Sequence, residues 1–177
     1  EQLFTDAKRF HYINEKQPGY SFKKRYPVEW EADLTFKESY EVWVRPVKPT
    51  DEDKVRDFFH SLSDQSIYLR YFTHIYSLPQ RVLQGFVDID YERNMTLVIL
   101  NKGGKQKEII AMGQWVYDEK DGLPELAFQV SDKWQGFGFG KYLLKRLIVI
   151  AQAYGIPTFK AEVLSQNASM IHVLESA

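Results

Sequence analysis

The 177-residue chain contains no cysteine, no excess of basic residues and no long apolar run, and each of these absences excludes a class of function. Without thiols it forms no disulfide, offers no thiolate to a metal and has no cysteine nucleophile. The net charge of −1 gives no basic field that would attract nucleic acid. No apolar run approaches the roughly 18 residues that cross a bilayer, and the N-terminus lacks a secretory pattern. We therefore expect a cytoplasmic protein that uses no metal and binds neither membrane nor nucleic acid.

A glycine-rich stretch is the most informative feature that the chain does contain. It reads Gln135-Gly136-Phe137-Gly138-Phe139-Gly140, after an apolar run at 126–130 and before residues with helical spacing at 141–148. A strand, a glycine turn and a helix in this order aim free backbone N–H groups at one point. The positive end of the helix dipole points the same way. The order therefore predicts a site for an anion such as a pyrophosphate.

Other nucleotide-binding patterns fit this stretch less well. A dinucleotide fingerprint requires G-x-G-x-x-G, whereas Gly136, Gly138 and Gly140 follow G-x-G-x-G. A Walker loop ends in Gly-Lys-Ser/Thr, whereas this stretch continues as Gly140-Lys141-Tyr142. Spacing alone also leaves open a helix start whose glycines only permit tight packing.

The residues around the glycines carry a family resemblance. The segment 130–140 resembles motif A of the GNAT N-acetyltransferase superfamily, Q/R-x-x-G-x-G/A, with Gln135, Gly138 and Gly140 at the defining places. Downstream, Asn167-Ala168-Ser169-Met170-Ile171 resembles the start of the family's next helix. Two motifs in the right order are more specific than either alone, and the resemblance covers about residues 42 to 177.

The stretch from Leu62 to Phe72 narrows the resemblance to one subgroup. It resembles the S-x-x-S-x-Y-x-R-F/Y-F pattern of GNAT domains in bacterial protein-lysine acetyltransferases. Those domains are often fused to acyl-CoA synthetase-like or CoA-transferase-like domains. The resemblance therefore implies a fused acyl-CoA-handling domain upstream, and a chain that starts at Glu1 rather than Met is expected to be a piece of a longer protein.

The predicted organisation has two parts. Residues 1–41 hold nine aromatics with little periodicity, which predicts an arm or linker packed on a neighbouring domain or on its own domain. Residues 42–177 are predicted to form a GNAT domain, an α/β (α+β) fold with a mixed, mostly antiparallel central sheet flanked by helices. The predicted strands are 42–47, 95–100, 108–117, 124–131 and 158–164, the later helices are 140–154 and one from about 168, and 63–72 is expected to be a loop. The family's last two strands would follow Ala177, so the domain is expected to be C-terminally incomplete.

The resemblance also implies the site residues. It implies acetyl-CoA as co-substrate, with its pantetheine arm along the backbones of Gln129 and Val130 and Asn167 near the pantetheine or the thiol. Glu125 begins Glu125-Leu126-Ala127-Phe128, which resembles an E-x-A-F pattern whose glutamate deprotonates the acceptor amine. A partly buried carboxylate with a raised pKa suits that role. The pyrophosphate would be held by Gln135, Gly136, Phe137, Gly138, Phe139 and Gly140.

These expectations lead to a functional hypothesis with two alternatives. The hypothesis is an acetyl-CoA-dependent N-acetyltransferase with a protein lysine as acceptor. The alternatives are a small-amine acetyltransferase and a non-catalytic acyl-CoA-binding module that regulates a fused enzyme. Glu125 argues against the non-catalytic module, and fold alone does not choose among the three.

Overall fold

A five-stranded sheet organises the computed structural model, which describes residues 25–176. Neighbouring strands are all antiparallel and follow chain order. The strands are β1 Ala32–Phe36, β2 Tyr40–Pro46, β3 Asn94–Asn101, β4 Ile109–Tyr117 and β5 Pro124–Val130. The α-helices are α1 Glu52–His60, α2 Asp64–Tyr71, α3 Gln80–Val87, α4 Phe139–Ala153 and α5 Ala168–Glu175. The predicted fold class is confirmed.

Helices cover both faces of the sheet, so the central strand β3 is buried along nearly its whole length. Helix α4 packs on one face through Leu143 and Leu147, which are both fully buried. A Cβ at Gly113 of β4 would lie 2.9 Å from the Phe128 ring and 3.3 Å from Leu143, so glycine permits this close packing. The next β4 residue, Gln114, faces the opposite side, where α3 packs.

Most predicted elements of the second half of the chain are confirmed to within one residue. They are the three meander strands β3, β4 and β5 and the helix α4. The helix predicted from about residue 168 is α5. These elements carry long apolar patterns bounded by glycine turns, which are the strongest local signals in a sequence.

Two predicted elements are wrong. The expected loop at 63–72 is helix α2, which Ser63 caps by accepting a hydrogen bond from the Ser66 amide at 3.2 Å. The expected strand at 158–164 contributes only an isolated parallel bridge between Lys160 and Glu125. Beyond Lys160 the two chain segments stop pairing. Strand propensity produces a strand only where a neighbour keeps offering hydrogen bonds.

The sheet begins inside the region predicted as an arm. Strand β1 starts at Ala32 and pairs with β2 in the register Asp33 to Trp43. The Tyr26 hydroxyl donates to Glu31 at 2.6 Å, and the Phe36 ring stacks on Phe139 with centroids 4.5 Å apart. Residues 25–41 therefore pack on the same domain. Residues 1–24 lie outside the described range, and their role as a linker stays a prediction.

Candidate active site

The outer edge of β5 is open over its second half. The Lys160 amide donates to the Pro124 carbonyl at 3.0 Å, and the Leu126 amide donates to the Lys160 carbonyl at 2.8 Å. Because backbone groups alternate along a strand, Phe128 and Val130 face this same edge. Within residues 25–176 no backbone group pairs with them there, and only the Val130 carbonyl has a side-chain partner, Gln135. This edge can accept an extended ligand as an added strand.

The same alternation decides how Gln129 lies. Pro124 and Leu126 bond to Lys160 at the outer edge, so the backbone groups of Gln129, an odd number of residues away, turn toward β4. A ligand along the open edge would therefore meet the backbone of Phe128 and Val130 rather than that of Gln129. The Gln129 side chain points to the face of the sheet that α2 covers. There its Oε1 accepts a hydrogen bond from the buried Tyr71 hydroxyl at 3.3 Å.

The glycine loop, residues 135–140, joins β5 to α4 with room and donors for an anion. Gly136 and Gly138 have φ values of +78° and +96°, which L side chains rarely adopt. Gly138 is the N-cap of α4 and has no side-chain cap, and the first helical bond runs from the Tyr142 amide to the Gly138 carbonyl at 3.0 Å. The amides of the first turn of α4 therefore lack intrahelical acceptors. A Cβ at Gly136 would meet nothing within 4 Å, so the space beside it is open.

The side chains of the remaining loop residues pack against the domain. Phe139 is fully buried, and Phe137 lies 5.2 Å from Tyr40 in an edge-to-face contact. The Lys37 ammonium lies 5.4 Å from the Phe137 ring centroid, which places a cation beside the loop. A Cβ at Gly140 would lie 3.7 Å from Val173 of α5, in ordinary van der Waals contact. Packing alone therefore does not require glycine at position 140, and its predicted contact with the pyrophosphate stays a prediction.

A polar network not anticipated from the sequence anchors this loop to α2. Asp132 accepts from the Ser63 amide at 2.9 Å, the Ser63 hydroxyl at 2.6 Å and the Ser66 hydroxyl at 2.9 Å. Gln135 Nε2 donates to Ser66 Oγ and to the Val130 carbonyl, both at 3.1 Å. The Gln135 side chain is therefore occupied within the protein. The two serines three residues apart were the available signal, but nothing in the sequence pairs them with Asp132.

Glu125 is half-buried on β5 and has the electrostatics of a proton acceptor. Burial raises the pKa of Glu125, and the nearby Glu162 carboxylate raises it further. Arg70 of α2 and Lys160 oppose this shift without cancelling it. The Lys160 ammonium itself forms ion pairs with the carboxylates of Asp118 and Asp121, at N–O distances of 2.8 and 2.7 Å. A carboxylate with a raised pKa beside an open edge is a candidate general base.

Glu125 shares its face of β5 with Gln129 and with the C-terminal end of α2. Tyr71 is buried there, and burial raises its pKa. Gln129 Nε2 is buried without an acceptor among residues 25–176. Alternating strand geometry places Glu125 and Gln129 roughly 13 Å apart along the strand. The Glu125 carboxylate and the Gln129 side-chain amide thus lie on the same face of β5, the strand with the open edge.

Asn167 has a local structural role. Its Oδ1 accepts from the Met170 amide at 3.2 Å and caps α5. Its predicted contact with pantetheine or thiol stays a prediction. Across residues 25–176, no group of three or more His, Asp or Glu residues could hold a metal ion. None of the helices in this range is long and apolar enough to span a membrane.

Comparison with known proteins identifies the class that this fold and site define. The model of the acetyltransferase (GNAT) family matches residues 55–177, and the chain belongs to that family. The GNAT domain of S. lividans PAT superposes with a TM-score of 0.77 at 30% identity, over 86% of this chain and 89% of that one.

Two curated proteins are similar over part of their length. The acetyltransferase Pat of Mycolicibacterium smegmatis is 28% identical over 134 residues, which are 75% of this chain and 39% of that protein. An acetyltransferase of Pseudomonas aeruginosa is 28% identical over 115 residues, which are 64% of this chain and 61% of that protein. This chain therefore corresponds to a part of each of these two longer proteins.

Proposed function

We propose that this chain is an acetyl-CoA-dependent N-acetyltransferase that acetylates protein lysines. The observation that carries the proposal is that three features needed for acetyl transfer lie together on one strand and the loop that follows it. Strand β5 bears a half-buried glutamate with a raised pKa, an open edge and, directly after it, an uncapped helix start with open space beside it. These three features correspond to a base, a slot for the donor arm and a phosphate site.

The glycine loop suits the pyrophosphate of the donor. Free amides at the start of α4 and the positive end of its dipole favour negative charge. The open space at Gly136 leaves room for a phosphate oxygen close to the backbone. Pantetheine would then lie along Phe128 and Val130, so that its amides replace the missing neighbouring strand.

The chemistry assigned to Glu125 is removal of a proton from the acceptor ammonium. The neutral amine then attacks the thioester carbonyl, a C–N bond forms and the C–S bond breaks. The sulfur leaves as the CoA thiolate, which water can protonate. The Phe128 amide, turned to the open edge, would stabilise the negative charge that develops on the carbonyl oxygen. The proton taken by Glu125 returns to solvent before the next turnover.

Two features favour a lysine presented by a protein over an enclosed small amine. Val116 is the cross-strand partner of Glu125 and lines a pocket between α3 and the sheet. That pocket is not lined by Glu125 and holds only about 20 Å³, far below the roughly 300 Å³ or more of a typical small-molecule site. Glu125 and Glu162 would attract the ammonium of a side chain that approaches from outside. A fused acyl-CoA-handling domain upstream and a cytoplasmic location belong to the same proposal.

Transfer to a peptide tests this function. The purified protein is incubated with acetyl-CoA and lysine-containing peptides, and acetyl-lysine is detected by mass spectrometry, with a polyamine in parallel. We expect peptide acetylation that Glu125→Gln removes and Glu119→Gln retains, because Glu119 is exposed in the β4–β5 turn. Acetylation of the polyamine alone would favour the small-amine alternative. CoA binding without any transfer would favour the non-catalytic module.

A further inference from the structure

The loop that follows β5 is tied to α2 through one carboxylate. Asp132 receives three hydrogen bonds from two serines, and one of its donors is a backbone amide whose position is fixed by the helix start. Burial would raise the pKa of Asp132, but the hydrogen bonds from Ser63 and Ser66 outweigh it and lower the pKa. The ionised carboxylate is therefore the form that this arrangement favours.

Ser66 connects this carboxylate to the glycine loop. Its hydroxyl donates to Asp132 Oδ1 and at the same time accepts from Gln135 Nε2. Gln135 is the first residue of the loop, and its second hydrogen bond goes to the carbonyl of Val130 at the end of β5. A chain of hydrogen bonds thus runs from the N-terminus of α2 to both ends of the segment 130–135. Gly136 follows at once with its left-handed backbone.

We propose that Asp132 is a positioning residue that holds the glycine loop in its anion-binding shape through Ser66 and Gln135. The proposal rests on the proposed function, because it takes the ligand of the loop to be the diphosphate of a CoA ester. Gln135 in this account orients the loop with its side chain, while the backbone amides after it contact the phosphates. The network also explains why one serine precedes α2 and a second follows three residues later in its first turn.

The three donors around position 132 favour a carboxylate over an amide. An asparagine at position 132 keeps only one acceptor oxygen, so its NH₂ group would face either the Ser63 amide, which is also a donor, or the Ser63 and Ser66 hydroxyls, which would have to change from donating to accepting. Asp132→Asn therefore removes the charge and weakens the anchor with almost no change in volume. Asp57→Asn is the matched control, because Asp57 is exposed on α1 and its carboxylate makes no hydrogen bond or ion pair within residues 25–176.

The test measures CoA affinity by isothermal titration calorimetry at a temperature well below the melting transition of every variant. We expect Asp132→Asn and Ser66→Ala to weaken CoA binding by about tenfold, the effect of losing hydrogen bonds to a charged group. Ser66→Thr keeps the hydroxyl and should restore affinity, and Asp57→Asn should bind as the parent does. In steady-state assays, the KM for acetyl-CoA should rise while the KM for the acceptor stays constant.

The outcomes separate this proposal from the function on which it rests. A merely structural role would lower the melting temperature of Asp132→Asn and leave its CoA affinity intact, and that result overturns the positioning role alone. Equal weakening by Ser66→Ala and Ser66→Thr would show that the hydroxyl is not the connection and would also overturn it. Failure of the parent protein to bind CoA would overturn the proposed function first and this inference with it.

Discussion

Glu125 is subject to opposing requirements at the scale of the single residue. A general base must be ionised near neutral pH, yet burial and Glu162 raise its pKa and favour the protonated form. Arg70 and Lys160 moderate that shift. The balance suits a base that must accept a proton readily and release it again in each turnover.

Replacement of Glu125 by glutamine should slow acetyl transfer without affecting the donor. Glutamine keeps the size of the side chain and loses the proton acceptor, so turnover should fall by about 10²- to 10⁴-fold at neutral pH. The deficit should shrink as the pH rises, because more of the acceptor amine is then already neutral. A pH–rate profile of Glu125→Gln that overlays the parent profile would remove Glu125 from the mechanism.

The same residue should affect stability with a definite sign. The folded-state pKa of Glu125 lies above its ordinary value, so its contribution to stability is full below the ordinary glutamate pKa and is lost as the pH rises through the raised pKa. Glutamine does not ionise, so the Glu125→Gln variant does not lose stability in this way as the pH rises. Thermal melts at about pH 4 and pH 8 should therefore show the variant gaining on the parent toward pH 8, whereas Glu119→Gln should follow the parent. A gain toward acid pH would contradict the assigned shift.

At the scale of elements, the glycine loop offers a matched pair of substitutions. Gly136→Asp and Gly122→Asp impose similar backbone strain, because their φ values are +78° and +69° and a Cβ at either position meets nothing within 4 Å. Only Gly136→Asp sets a carboxylate beside the phosphate site, where it repels the ligand. Calorimetry should show CoA binding lost in Gly136→Asp and kept in Gly122→Asp. Equal binding by both would contradict the phosphate site.

The elements also show what the sequence could and could not predict. Strands β3 to β5 and helix α4 have long periodic patterns with glycine boundaries, and local reasoning located them well. Helix α2 buries only Ile67 and Tyr71, which is too short a stripe to identify a helix. The segment 158–164 has strand propensity but loses its neighbour after Lys160. The Asp132 anchor joins residues 66 or more positions apart, a distance that no local pattern spans.

At the scale of the whole molecule, the proposed site is assembled from segments that lie far apart in the chain. The end of β1 contributes Phe36 and the following turn contributes Lys37 beside the glycine loop, although this region was predicted to be an arm. Helix α2 contacts the loop at its N-terminus and Gln129 at its C-terminus. The glycine loop and the face of β5 that bears Glu125 are therefore both held by α2. A ligand that fixes the loop should stabilise the entire domain.

Thermal unfolding with acetyl-CoA tests the central claim most directly. A ligand at 100 times its Kd that binds only the folded state stabilises by about 2.7 kcal/mol, which corresponds to a rise in Tm of roughly 5–10 °C for a domain of this size. We predict such a rise for the parent protein and for Gly122→Asp, and none for Gly136→Asp. An unchanged melting curve of the parent protein at millimolar acetyl-CoA would contradict the account.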